Sequence, residues 1–283
     1  MASFIIHTIA GEKFLHDLEN AFNIILTDYD KKMFLLGNLI PDSLALETTI
    51  PENLSSIELT NYKIKLKDKI REEKRSTHFR NPENEELCLK IPDPDLFINK
   101  YQGLLNEDLS VLGYLFHLYT DRIFFSNLFP KTFINLDKNQ KETKYNKESV
   151  YIKIKKNNLV VDSKEFWAGT SDFNIYNDYT AMNIMLLKLY GTSFNEKDFL
   201  EFAKIHFKNP GIEEVEYERI FEIIRKTQHF IEESYKTTQS ELAVFTESDI
   251  IEFINQLSEQ FIIEYKYIIE RFNKIKKKTR SNI

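Results

Sequence analysis

The stretch GYLFHLYTDRIFF, residues 113–125, decides the fold. Nearly every position in it is aromatic or aliphatic, yet His117 and Asp121 stand inside it, four residues apart. Side chains at i and i+4 lie one above the other on a helix. A helix over 107–129 would therefore aim an imidazole and a carboxylate the same way out of a segment that otherwise reads as core. Buried charge is costly unless it is paired or bound to a metal. The pair is thus a hydrogen-bonded His–Asp couple, a rim pair with Arg122, or two ligands of one ion. Imidazole with carboxylate is a donor set that suits zinc.

The rest of the chain supports a helical surround. Its 283 residues include 23 Phe and 14 Tyr but only 7 Gly and 7 Pro, so few turns are forced and long helices are expected over a many-stranded sheet. Apolar positions Ile9, Phe14, Leu15, Leu18, Phe22 and Ile25 recur at helical spacing across 9–31. MFLLGNLIPDS then gives a short apolar helix that Pro41 ends, with Asp42 just beyond. Residues 45–90 are mixed and polar and read as loops and short pieces; YKIKLKDKI at 62–70 fits either a strand or an exposed helix. A charged linker at 138–148 precedes SVYIKIKKNNLVVDS, whose alternation and KNN turn predict a β-hairpin over about 149–163. Helices are expected again at 174–190, 195–207, 213–235 and 246–277. In the last, Ile250, Ile254, Leu257, Phe261, Tyr265, Ile268, Phe272 and Ile275 share one face, as core or as the seam of a homodimer. The expected architecture is all-α, a multi-helix bundle forming one domain over 1–283 with a small β-hairpin insertion.

Charge and length exclude some functions. A net charge of -6 argues against a general polyanion binder, although Arg271, Lys274, Lys276, Lys277, Lys278 and Arg280 gather at one end and keep nucleic acid among the candidate partners. Cations at a helix C-terminus are also ordinary. The longest run without Asp, Glu, Lys or Arg is the 12 residues Leu109–Thr120, against about 20 needed for a span. No stable membrane insertion is expected. One cysteine, Cys88, makes no internal disulfide, and FII at 4–6 is short for a secretory signal; both favour a cytoplasmic chain.

Further titratable residues fall beside short motifs: His7 in FIIHTIAGE, Asp42 in FLLGNLIPDS, and His78 in STHFR with Arg80 after it. Each has an ordinary explanation alone, as core histidine, turn residue or loop histidine. The ordered series His7, FLLGNLIPD, THF and H-xxx-D resembles the zinc-dependent phospholipase C family, whose all-α fold is shared with single-strand nucleases. The resemblance covers the first 130 residues. It implies that Asp42, His78, His117 and Asp121 hold one zinc, and that Asp121 bridges to a second ion bound by His7. A third ion in the family takes histidines further along. Here Asn127 stands where one is expected, and the following helix, NIYNDYTAMN, offers Asp178. One to two zinc ions, with room for a third, are therefore expected, with Asp42 orienting the nucleophile or taking its proton and Arg80 and Arg122 serving a phosphate. Such a site points to hydrolysis of a phosphate ester of unspecified class, since a bound zinc ion makes water acidic near neutral pH.

Two other readings stand beside it. A helical phosphohydrolase of the HD type would use adjacent His and Asp, found here at His16–Asp17, two neighbours about 100° apart on a helix. A non-catalytic helical binding protein would keep a degenerate site. His229–Glu233 in QHFIEES is a second H-xxx-E pair, and such pairs are common on exposed helix faces. His206 reads as a polar helix end.

Overall fold

The computed structural model describes residues 3–43, 56–237 and 241–271. Eleven α-helices and one small antiparallel sheet occupy these residues. Helix α1 (Phe4–Phe22) starts on Ser3, whose hydroxyl accepts from the Ile6 amide, and ends on left-handed Asn23. The expected single helix over 9–31 is two, because Thr27 and Asp30 form a reciprocal capping box that opens α2 (Asp28–Leu39). A 3-10 turn, Ile40–Asp42, carries Pro41 and Asp42 off its end.

The polar stretch 45–90, read as loops and short pieces, holds a long helix, α3 (Ser56–Thr77), and α4 (Pro94–Tyr101) follows it. Charged residues crowd α3 and blur its apolar stripe, while pairs such as Lys69–Glu73 (3.8 Å) support it along one face. The alternation at 62–70 belongs to this helix.

Helix α5 (Leu109–Ile123) is buried from Leu109 through Asp121. It continues as a π turn over Phe124–Leu128 and a short α6 (Phe129–Thr132). Helix α2 packs along α5 more extensively than any other pair in the fold. Two glycines make that approach possible. A Cβ on Gly37 would lie 2.0 Å from the Ser110 carbonyl oxygen, and one on Gly113 would lie 2.1 Å from that of Phe34.

The expected hairpin is present as β2 (Tyr151–Ile154) and β3 (Leu159–Asp162), with a third strand unforeseen: β1 (Phe133–Leu136) pairs antiparallel with β2, Phe133 opposite Ile154. Asp162 caps α7 (Ser163–Ala168). Helices α8 (Ile175–Tyr190), α9 (Glu196–His206), α10 (Ile220–Lys236) and α11 (Glu247–Glu264) follow. The α11 stripe enters the chain's own core, with the Phe261 ring edge-on to Phe14 (5.2 Å) and Phe116 (5.0 Å). Phe272, Ile275 and the basic residues from Lys274 onward lie outside the described residues.

Candidate metal centre

Four elements converge on one buried point. His7 comes from the start of α1, Asp42 from the 3-10 turn after α2, His78 from the end of α3, and His117 with Asp121 from α5. His7, His78, His117 and Asp121 are wholly buried, and Asp42 is 3% exposed.

Local structure aims each side chain. His78 is the last residue before Phe79, which holds a left-handed φ of 48°. The Phe79 amide donates to the Ser76 carbonyl and the Arg80 amide to that of Arg75, the paired bonds of a Schellman cap. Glycine is usual at that position. Here Phe79 keeps its ring against Phe97 at 5.2 Å, while His78 turns inward and Arg80 leaves the helix. His117 is fixed from its far side: Nδ1 stands 2.8 Å from the Asn38 carbonyl oxygen. A carbonyl only accepts, so Nδ1 carries the hydrogen and Nε2 presents a lone pair. The Asn38 side-chain amide donates to the His7 carbonyl at 2.6 Å, tying α2 to α1. The Thr77 hydroxyl sits 2.8 Å from His78 Nδ1. Metal-binding histidines are commonly held this way, with the outer nitrogen on a protein oxygen.

The inner atoms then face one another. His78 Nε2 lies 3.3 Å from Asp42 Oδ1, 3.3 Å from His117 Nε2 and 3.6 Å from Asp121 Oδ2; His117 Nε2 lies 4.0 Å from Asp121 Oδ2. Only one hydrogen on His78 could serve those three acceptors. One cation serves them all. A tetrahedral ion with ligand bonds of about 2.0–2.1 Å sets its ligand atoms about 3.3–3.4 Å apart, close to the separations found. The other oxygen of Asp121, Oδ1, faces His7 Nε2 at 3.5 Å. Both ring nitrogens of His7 are buried without a hydrogen-bond partner, and the ring stacks on His117 at 3.8 Å. Unpartnered buried polar atoms are destabilising, and a ligand role for His7 removes that cost. Within each of the two triples His7–Asp42–His117 and His78–His117–Asp121, the donor atoms lie within 4.8 Å of one another. The donors fit an ion.

The electrostatics agree with ligand chemistry. Burial would raise the Asp42 carboxyl, but the adjoining His78, His117 and His7 outweigh it and hold it down at about 2. Asp121 is likewise held well below the usual carboxylate range, burial being outweighed by the favourable electrostatics of its surroundings. Burial, reinforced by neighbouring His7, pushes His117 down to about 3 and keeps it neutral. Anionic carboxylates beside neutral imidazole are the forms that bind metals.

A cavity of about 1070 Å³ opens beside this cluster, and Asp42 is the cluster member on its wall. Arg80, Lys74, Trp167, Tyr176 and Tyr179 also line it, as do His229 and Glu233 on an exposed face of α10. The aromatic segment around 167–179 thus supplies a pocket wall.

Two expected site residues lie elsewhere. Asp178 is not a ligand of this cluster: its carboxylate accepts from the backbone amides of Ala243, Val244 and Phe245, all at 2.8 Å, and so holds the entry to α11. Arg122 is directed outward, paired with Glu264 and set 4.9 Å over the Tyr119 ring, so it is no phosphate ligand here. Asn127 is exposed and bonded to Ser126; His16 and Asp17 pair on the surface at 3.5 Å; His206 packs its ring on Tyr29. Sequence reading missed Asn38, Thr77 and Lys74. A lone amide beside a glycine in FLLGNLIPD is the one signal that points to Asn38.

No protein-family model, curated protein or solved structure matches this chain.

Proposed function

We propose that this chain is a zinc-dependent hydrolase of phosphate esters, of the phospholipase C and nuclease type. The supporting observation is the single His78 Nε2 facing two carboxylates and a second imidazole at 3.3–3.6 Å, beside a cavity that Asp42, Lys74 and Arg80 help to line. Bound zinc would supply Lewis acidity and an acidified water. Asp42, His78, His117 and Asp121 would hold one ion, and His7 with the second oxygen of Asp121 a further one. Asp42, at the cavity edge, is placed to orient a nucleophile. A carboxyl held near 2 is a poor proton acceptor at neutral pH, so its part is ligation and positioning. Aromatic walls at Trp167 and Tyr179 would exclude water around the ester.

Elemental analysis of tag-free protein tests this, paired with assays on a phosphate diester and a monoester. One or two equivalents of zinc, lost together with turnover in Asp121→Asn, are expected; protein purified without any metal overturns it. The full burial of four of the five side chains favours one second reading, a structural ion in a binding protein. Tightly held zinc with no turnover of either ester would select that reading.

A further inference from the structure

Arg75, Arg122 and Arg219 each pair with a glutamate. Arg80 pairs with none among the described residues, although its Nε is buried and without a hydrogen-bond partner. Lys74, one and a half helical turns earlier on the last part of α3, likewise makes no ion pair or side-chain hydrogen bond. Both line the cavity, and both are only partly exposed. Of the other lysines at that wall, Lys90 is held by Glu85 at 2.8 Å, Lys147 by Glu86 at 3.4 Å, and Lys164 is exposed at the start of α7.

Charge counting shows what the pair lacks. Lys74 and Arg80 repel each other and are attracted by Asp42 on the cavity wall and by the buried Asp121, and Arg80 also by Glu85, which Lys90 already holds at 2.8 Å. A divalent ion on Asp42 and Asp121 cancels their charge and leaves Lys74 and Arg80 at the cavity without an ion-pair partner among the described residues, Glu233 on the same wall being held by Lys236 at 3.1 Å. Guanidinium offers a fork of donors and ammonium a compact charge, a combination suited to phosphate oxygens.

We propose that Lys74 and Arg80 form an anion-binding pair that takes the phosphate of the substrate at the cavity end nearest the metal centre. The inference rests on the hydrolase reading and deepens it. Phosphate fills a small part of about 1070 Å³, so the ester carries a bulky organic group against Trp167, Tyr176 and Tyr179. Lys74 and Arg80 are binding residues in this account, separate from the ligands.

The test uses inorganic phosphate and calorimetry on the full chain. In an Asp42→Asn/Asp121→Asn background those two negative charges are absent without any metal, so the change in binding on removing Lys74 or Arg80 reports the cation pair. Phosphate is expected to bind this background, and Lys74→Met or Arg80→Met added to it should each weaken binding at least tenfold, with unchanged near-ultraviolet dichroism. In zinc-loaded wild-type protein the same two substitutions should weaken phosphate while leaving zinc content intact. Equal affinity with and without the cations, or no binding to the Asp42→Asn/Asp121→Asn background, overturns the proposal. Failure of the metal reading shows separately, as wild-type protein without zinc.

Discussion

Gly37 and Gly113 face each other's helices so closely that neither can carry a methyl group: the missing Cβ atoms would sit 2.0 and 2.1 Å from the backbone oxygens of Ser110 and Phe34. Glycine inside a helix ordinarily costs about 0.5–1 kcal/mol relative to alanine, so Gly→Ala would normally stabilise. Here it must separate α2 from α5. Gly37→Ala and Gly113→Ala are each expected to destabilise by about 1–3 kcal/mol through overpacking, seen as a lower thermal midpoint. Metal content should fall with it, because the neighbouring Asn38 holds both His117 and the His7 carbonyl. Unchanged metal content in a folded Gly37→Ala protein would separate the packing from the site.

Two of the buried aspartates, Asp121 and Asp178, should behave in opposite ways. Asp121→Asn is expected to lose bound metal in a chain that still folds. Asp178→Asn removes the charge from an acceptor of three backbone amides. Hydrogen bonds to charged groups are worth about 1.5–3 kcal/mol, so its urea midpoint should drop while zinc stoichiometry stays at the wild-type level.

Phe79 combines a strained backbone with a useful ring. A left-handed conformation costs a side-chain-bearing residue about 1–2 kcal/mol, and removing a buried Phe costs about 3–5 kcal/mol. Phe79→Gly should therefore lower stability by about 2 kcal/mol in a denaturant titration. A gain in stability would mean that strain outweighs packing on Phe97 and Tyr114.

Acid should destabilise the metal-free protein from mild pH downward. Burial, with the nearby His7, holds His117 at about 3 in the folded chain, against about 6.5 when unfolded. Between those values the unfolded chain binds the extra proton, so stability present above 6.5 is lost as pH falls toward 3. Asp42, held at about 2 by His78 and its other imidazole neighbours against the effect of burial, adds a further loss below about 4. Thermal midpoints of chelator-treated protein between pH 8 and 4 check this. A flat profile would show that His117 titrates alike in the folded and unfolded chain.

Much of the centre was legible because its ligands interrupt apolar surroundings. His117 and Asp121 stand out in GYLFHLYTDRIFF, and Asp42 follows a proline that forces the chain out of a helix. Helix α3 was obscured because its lysines and glutamates mask the apolar period, and β1 because FINL runs on from a helical segment. Asp178 misled for a physical reason: a carboxylate can meet backbone amides as readily as a metal, and nothing local tells which partner the fold brings. Arg122 misled in the same way, since Glu264 lies 142 residues away. Lys74 had no signal at all. A cation without a partner becomes visible only once the partners of its neighbours are known.

The small sheet has a consequence for how this chain can change. Every member of the metal cluster lies before residue 122, whereas Ser163, Lys164 and Trp167 reach the cavity from the end of β3 and the helix it launches. On the proposed function, metal ligation and part of the cavity wall would occupy different lengths of sequence. Substitutions or length changes between 137 and 168 can alter what the cavity admits while the cluster keeps its geometry. Within one polypeptide the sheet would carry an exchangeable faceplate, the segments flanking its strands, over a fixed interior.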